Sequence, residues 1–346
     1  MYESFYGLTG KPFQLNPDPA FYFGSRGHKR AFAYLQYGVY QSEGFIVITG
    51  EIGAGKTTLV RSLFEQLDRS QLVAAQLVST QLDADDMLRA VAMSFGLPVK
   101  TLDKASLLTS LEAFLCQLAV DKKRALLVVD EAQNLTPRAI EELRMLSNFQ
   151  LGDQALLQSF LIGQPELRTM MQGTQMQQLR QRVIASYHLG PLDKSETKAY
   201  IEHRLAHVGW KGDPRFGAPA FDLIHAASGG IPRRINTLCN RLLLAGFLGE
   251  KHAFEAADVQ GIAHEIREEL GPGPEGTLAS VPAPAAREIA SGPVLRGGDA
   301  GDGGAQFRDI EERLDRLEKT VGVAVDLLHR LLHPDRVSKP GGPGGR

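Results

Sequence analysis

Residues Gly50, Glu51, Ile52, Gly53, Ala54, Gly55, Lys56 and Thr57 form the pattern G-x-x-x-x-G-K-[ST], with Thr58 directly after it. Glycines at these positions let backbone N–H groups turn inward around phosphate oxygens, where a side chain would block the approach. Lys56 supplies a point charge for β- and γ-phosphates, and the Thr57 hydroxyl is a ligand for Mg²⁺. A helix opening at Lys56 aims its positive end at the same anion. Downstream, the apolar run Leu126, Leu127, Val128, Val129 ends in Asp130 and Glu131. A buried strand ending there delivers Asp130 to hold the metal through water and Glu131 to polarise the attacking water as general base. An apolar strand ending in Asp-Glu is a weak signal alone; the upstream loop gives it meaning.

Further residues fit the same chemistry. The next apolar run ends in Gly163 and Gln164; a polar side chain between loop and acidic strand can orient water against a γ-phosphate, and Gln164 takes that sensing role. Glu166 reads equally as part of a helix start built on Pro165. Arg180 and Arg182 precede the last strand and do not obviously reach their own subunit's phosphates. One of them, Arg182 first and Arg180 next, fits an arginine finger acting on a neighbour, against the plain reading of a surface arginine. Arg233 opens a helix after Gly229-Gly230-Ile231-Pro232 and can fold down onto the nucleotide; the competing reading is two solvated arginines, Arg233 and Arg234. His203 and His207 stand four apart, but no Glu adjoins the first and no third ligand is in sight, so they read as a solvated helical face. No Ser/His/Asp or Cys/His nucleophile motif is present.

These residues need a frame. Short apolar runs at 45–49, 73–79, 125–129, 157–163 and 185–189 alternate with amphipathic stretches such as 57–68 and 137–149. That alternation predicts βαβ units around a mostly parallel sheet. The run at 73–79 falls between the two motifs, which suggests a strand inserted between the nucleotide loop and the acidic strand. From 193 to 270 the pattern is helical throughout. Gly, Pro and Ala dominate residues 271–306, the composition of a flexible linker. Then Phe307, Ile310, Leu314, Leu317, Val321, Ala324, Leu328 and Leu331 recur at steps of three and four, the seam of a short coiled coil. The expected division is therefore 1–192 for an α/β nucleotide-binding domain, 193–270 for a helical lid, 271–306 for the linker, 307–332 for the coiled coil and 333–346 for a disordered tail.

The 346 residues carry a formal net charge of −2, with 43% apolar and 23% charged side chains. This is the profile of a soluble globular chain with no basic footprint for nucleic acid. Cys116 and Cys239 lack any paired spacing, which argues against a disulfide framework or zinc site and fits a reducing compartment. The opening residues lack the order of a signal peptide, and the longest apolar runs, such as 242–248, fall short of the ~20 residues a membrane span needs. The expectation is a cytoplasmic protein whose membrane association comes through a partner.

The strings FYGLTGKPFQLNPDPAFYF, GEIGAGKTTL, VVDEAQNL, LIGQPEL, LRQRVIASYHLGPL and GGIPRRIN together span residues 1–270. In them the chain resembles the AAA+ ATPases of the general secretion pathway protein A type. More narrowly, it resembles the secretion ATPase encoded with exosortase/PEP-CTERM and exopolysaccharide systems. The resemblance implies a three-layer α/β core with a helical lid, ATP and Mg²⁺ as ligands, and hydrolysis between subunits of a homo-oligomer. It also implies work on envelope export or assembly with inner-membrane partners. Members of the secretion type often continue into a membrane span and a peptidoglycan-binding module; here the linker and coiled coil take that place, which favours the exosortase-associated branch. Relatives also include transposon target-site ATPases, so the rival expectation is an adaptor that assembles on DNA.

Overall fold

Five strands share one sheet: β1 (Phe45–Gly50), β2 (Leu72–Val78), β3 (Arg124–Asp130), β4 (Leu157–Gly163) and β5 (Val183–Leu189). Every pairing among them is parallel, in the spatial order β2-β3-β4-β1-β5. The computed structural model describes residues 1–78, 82–99 and 103–270. The expected linker, coiled coil and tail lie outside the described residues.

The strand order corrects one expectation. A strand does separate the phosphate loop from the acidic strand, but it is β4, while β2 sits at the sheet edge beyond β3. The burial pattern gives the reason: all seven residues of β4 are buried, whereas β2 mixes buried with half-exposed and exposed positions. A strand with neighbours on both sides and helices on both faces must be dry along its whole length; an edge strand need not be.

Side chains along β1 alternate between two cores, as the period of a strand requires. Phe45 and Val47 pack with α3 (Ala84–Ser94), α4 (Lys104–Val120), α5 (Pro137–Leu146) and α6 (Pro165–Gln172), whereas Ile46 and Ile48 face α1 (Arg26–Gln41) and α2 (Lys56–Gln66). The result is a three-layer sandwich with the sheet in the middle. Side-chain oxygens cap the helix starts at Ser25, Asp83, Asp103 and Thr136, each satisfying an N–H that helix geometry leaves free.

Helices α7 (Lys194–His207), α8 (Ala218–Ser228), α9 (Pro232–Leu248) and α10 (Ala256–Leu270) form a second packing unit. Its α7 opens with a reciprocal capping box between Asp193 and Glu196. The apolar core of this unit includes Tyr2, Tyr6, Leu8 and Phe13, so these four side chains pack with the helices, although the expected boundary at 1–192 grouped them with the α/β domain. Hydrogen bonds hold the opening residues: among others, the Tyr2 hydroxyl donates to Asn240 at 2.8 Å, the Tyr6 hydroxyl to the Lys251 carbonyl at 3.0 Å, Thr9 N–H to the Val208 carbonyl at 2.9 Å, and Arg204 Nε to the Pro12 carbonyl at 2.5 Å. Aromatic side chains at the chain's start find in the helical bundle the apolar partner that the sheet, already covered on both faces, does not offer.

The paired histidines meet aromatic side chains of this strap, while His207 stays exposed as the solvated reading expects. The His203 ring lies 5.5 Å from Phe23 and the His207 ring 4.2 Å from Phe21, and His203 is half-buried. Among the described residues no group of three or more metal-ligating side chains gathers, and no helix is long and apolar enough to cross a membrane.

Candidate active site

The carboxyl ends of β1, β4 and β3 stand side by side, and the chemistry-bearing residues follow each of them. After β1 the chain turns through Gly53 and Gly55, whose φ values of +82° and +99° are strained for any residue with a Cβ. The turn ends as α2 begins at Lys56. Lys56 is buried, and its ammonium donates to the carbonyls of Gly50 at 2.6 Å and Glu51 at 3.0 Å. Burial pushes its pKa down, while the charges of Glu131, Asp130, Glu51 and Glu166 oppose the fall.

Thr57 Oγ1 donates to Asp130 Oδ2 at 3.2 Å, which joins the phosphate loop to the end of β3. Asp130 is buried, and burial holds its carboxyl above the usual range. The Glu131 N–H on Oδ1 at 3.0 Å and the Thr57 hydroxyl offset part of that rise. A hydroxyl and a desolvated carboxylate in contact form an all-oxygen pair that a hard cation would stabilise, and this donor set fits Mg²⁺.

Glu131 leaves β3 with φ +54°, ψ +39°, a left-handed conformation uncommon outside glycine. Two amides fix its side chain: Gln164 Nε2 donates to Oε2 at 2.9 Å and Gln133 Nε2 donates to the same oxygen at 2.5 Å. Gln133 Oε1 in turn accepts the Gln164 N–H at 2.9 Å. Burial alone would raise the Glu131 pKa, but the Gln164 and Gln133 amides and the Lys56 charge bring it below the usual glutamate value. Gln164 lies at the end of β4, between loop and acidic strand, and its amide faces Glu131. Gln133 is the member of this cluster that sequence reasoning missed. Its signal was only its place two residues beyond Glu131, since its contact with Gln164 spans strands.

The helical unit closes over the loop. Arg233 N–H donates to the Gly53 carbonyl at 3.1 Å, and a Cβ added to Gly53 would stand 2.3 Å from the Arg233 Cβ. Thr57, Thr58, Arg233, Tyr200 and Asn236 line one cavity with the strap residues Asn16 and Asp18.

The two arginines ahead of β5 are elsewhere. The Arg182 carbonyl accepts from Phe45 N–H at 2.9 Å, so Arg182 stands at the start of β1, the end opposite the phosphate loop. Its guanidinium donates to the Ser147 carbonyl at 3.0 Å, at the C-terminus of α5. Arg180 donates to the carbonyls of Met171 at 2.5 Å and Gly173 at 2.7 Å and is the more exposed of the two.

The sheet order, phosphate loop and acidic strand give the α/β core the fold of AAA+ P-loop proteins. Residues 39–171 match the AAA domain family. The chain is similar to general secretion pathway protein A of Aeromonas hydrophila, 39% identical over 268 residues, which are 77% of this chain and 48% of that protein. It thus spans about half the length of that relative. Among solved structures it is similar to the Aeropyrum pernix ORC2 protein in its ADPNP-ADP complexes (TM-score 0.56, 18% identity, 74% of this chain and 71% of that one). It is also similar to Cdc6p from Pyrobaculum aerophilum (TM-score 0.56, 16% identity, 75% and 72%). At these identities the two structures speak to fold.

Proposed function

We propose that this protein binds and hydrolyses ATP with Mg²⁺, and that the cycle drives or regulates assembly of an envelope export system from the cytoplasmic side of the inner membrane. The observation that carries the chemistry is the 3.2 Å contact between Thr57 and Asp130, with buried Lys56 on one side and amide-held Glu131 on the other. Lys56 gives the phosphates their cation. Thr57 and Asp130 would hold Mg²⁺, which when bound neutralises charge on the phosphate oxygens. Glu131 takes the proton of the attacking water, and Gln164, bonded to it, is placed to link the state of the γ-phosphate to the base. Arg233 reports nucleotide state to the lid, and Arg182 or Arg180 acts on a neighbouring subunit's site.

The likeness to general secretion pathway protein A supports an export role, and the resemblance of the sequence motifs to exosortase/PEP-CTERM and exopolysaccharide loci narrows it to that branch. Homo-oligomers and inner-membrane export proteins are the partners this reading requires.

Glu131→Gln tests the chemistry. The amide still fills the site but cannot accept a proton, so ATP affinity should stay near wild type while turnover falls by about a hundredfold or more. Hydrolysis at the wild-type rate would remove Glu131 as base. In the native host the same variant should fail to restore export to a deletion strain that the wild-type gene rescues; rescue by both would detach hydrolysis from export.

A further inference from the structure

His28, in the first turn of α1, lies against the phosphate loop and is 5% exposed. Its Nε2 is 3.0 Å from the Ala54 carbonyl oxygen and its Nδ1 is 2.7 Å from Ser25 Oγ. A carbonyl oxygen can only accept, so Nε2 carries the hydrogen. The Ser25 hydroxyl then donates to Nδ1, while its oxygen accepts the His28 backbone N–H at 3.2 Å. Ser25, the N-cap of α1, therefore selects the tautomer that the loop needs.

Ala54 and Gly55 share one peptide unit, and in a trans peptide the carbonyl and the N–H point in opposite directions. Holding the Ala54 carbonyl on His28 turns the Gly55 N–H away from His28. The fit leaves no slack, because a Cβ on Gly55 would stand 2.7 Å from His28 Nε2. His28, Gly55, Lys56 and Thr57 line the same cavity. The turn is also tied to the lid: Arg26 N–H donates to Glu196 Oε1 at 2.9 Å, and the Arg26 guanidinium pairs with Asp193 at the start of α7. The phosphate loop and the first lid helix are thus anchored on one turn of α1.

We propose that His28 is a positioning residue for the phosphate loop: its Nε2–H fixes the 54–55 peptide so that the Gly55 N–H faces a bound phosphate. The inference rests on the ATP-binding reading above and adds a residue that acts through the loop backbone. Without the anchor the peptide is free to rotate, and one donor of the phosphate cradle is lost from part of the population.

The test is ATP binding and steady-state hydrolysis by the full chain with Mg²⁺, together with unfolding temperature without nucleotide. His28→Phe keeps a buried ring and deletes the donor; the ATP Kd and KM should rise about tenfold while kcat stays within about threefold. His28→Gln restores an N–H donor and should bring Kd back to within about threefold of wild type. A structural role alone would lower the unfolding temperature of both variants and leave the folded fraction binding ATP normally. Wild-type affinity in a folded His28→Phe, or a His28→Gln no better than His28→Phe, overturns the proposal. Should His28→Phe fail to fold, His28→Gln decides by itself: near-wild-type Kd supports the proposal and a tenfold rise refutes it. A wild-type protein that binds no ATP sinks the nucleotide reading and this one with it.

Discussion

Replacing Gly53 with alanine puts a methyl group 2.3 Å from the Arg233 Cβ, 3.1 Å from its Cδ and 3.2 Å from its Cγ. Carbon atoms rest about 3.5–4.0 Å apart, so loop and lid must separate by roughly 1.2 Å or more at this contact. Overpacking of this kind costs ~1–3 kcal/mol. The backbone adds a second cost: at φ +82° a residue with a Cβ is disfavoured by ~1–2 kcal/mol. Together they amount to ~2–5 kcal/mol, which should lower the unfolding temperature by roughly 5–15 °C. Because the displaced groups line the nucleotide cavity, ATP affinity should fall about tenfold or more. Arg233→Gly separates the two terms, since it removes the obstructing Cβ but leaves the φ strain. In the double variant the overpacking share should return and the backbone share should not, giving a coupling of ~1–3 kcal/mol in a double-mutant cycle. Wild-type stability and affinity in Gly53→Ala, or a cycle without coupling, would show that the lid does not rest on the loop through Arg233.

Two further outcomes follow from the site. Gln164→Ala removes one of the amides that keep the Glu131 carboxylate charged; its pKa should therefore rise, and the acid-side loss of turnover should begin at higher pH, with ATP affinity unchanged. An acid limb that stays in place in pH–rate measurements would refute that coupling. Mixing inactive Arg182→Ala with inactive Lys56→Ala subunits should recover part of the ATPase activity, because some interfaces then join an intact loop to an intact finger. No recovery in demonstrated mixed oligomers would rule out trans action by Arg182, and recovery with Arg180→Ala alone would select Arg180.

The phosphate loop was legible because its chemistry is local. Glycines that alone tolerate φ of +82° and +99°, a lysine and a threonine occur within one turn, and nothing distant is needed to recognise them. The strand runs were legible for the same reason: a segment dry on both faces reads as a mostly apolar run, as at β1 and the end of β3. Asp130 and Glu131 could be placed at the end of such a strand because the apolar run stops there.

What joins those segments is not local. The order of strands depends on which neighbour each one pairs with. A sequence in which the run at 72–78 follows the loop gives no sign that the chain carries it to the far edge and later brings β4 into the gap. The same holds for Gln133 and His28, ordinary residues whose roles come from partners 31 and 26 positions away. The opening strap shows it most plainly. Its aromatic side chains announce burial, but only the folded chain decides that the cover comes from helices near residues 200 and 240, because the sheet's own faces were already filled. Sequence by itself determined the segments to which chemistry is assigned, since they are built from neighbours along the chain. Tertiary structure decided how those parts are held, since burial and hydrogen bonding are settled by whichever distant groups arrive beside them.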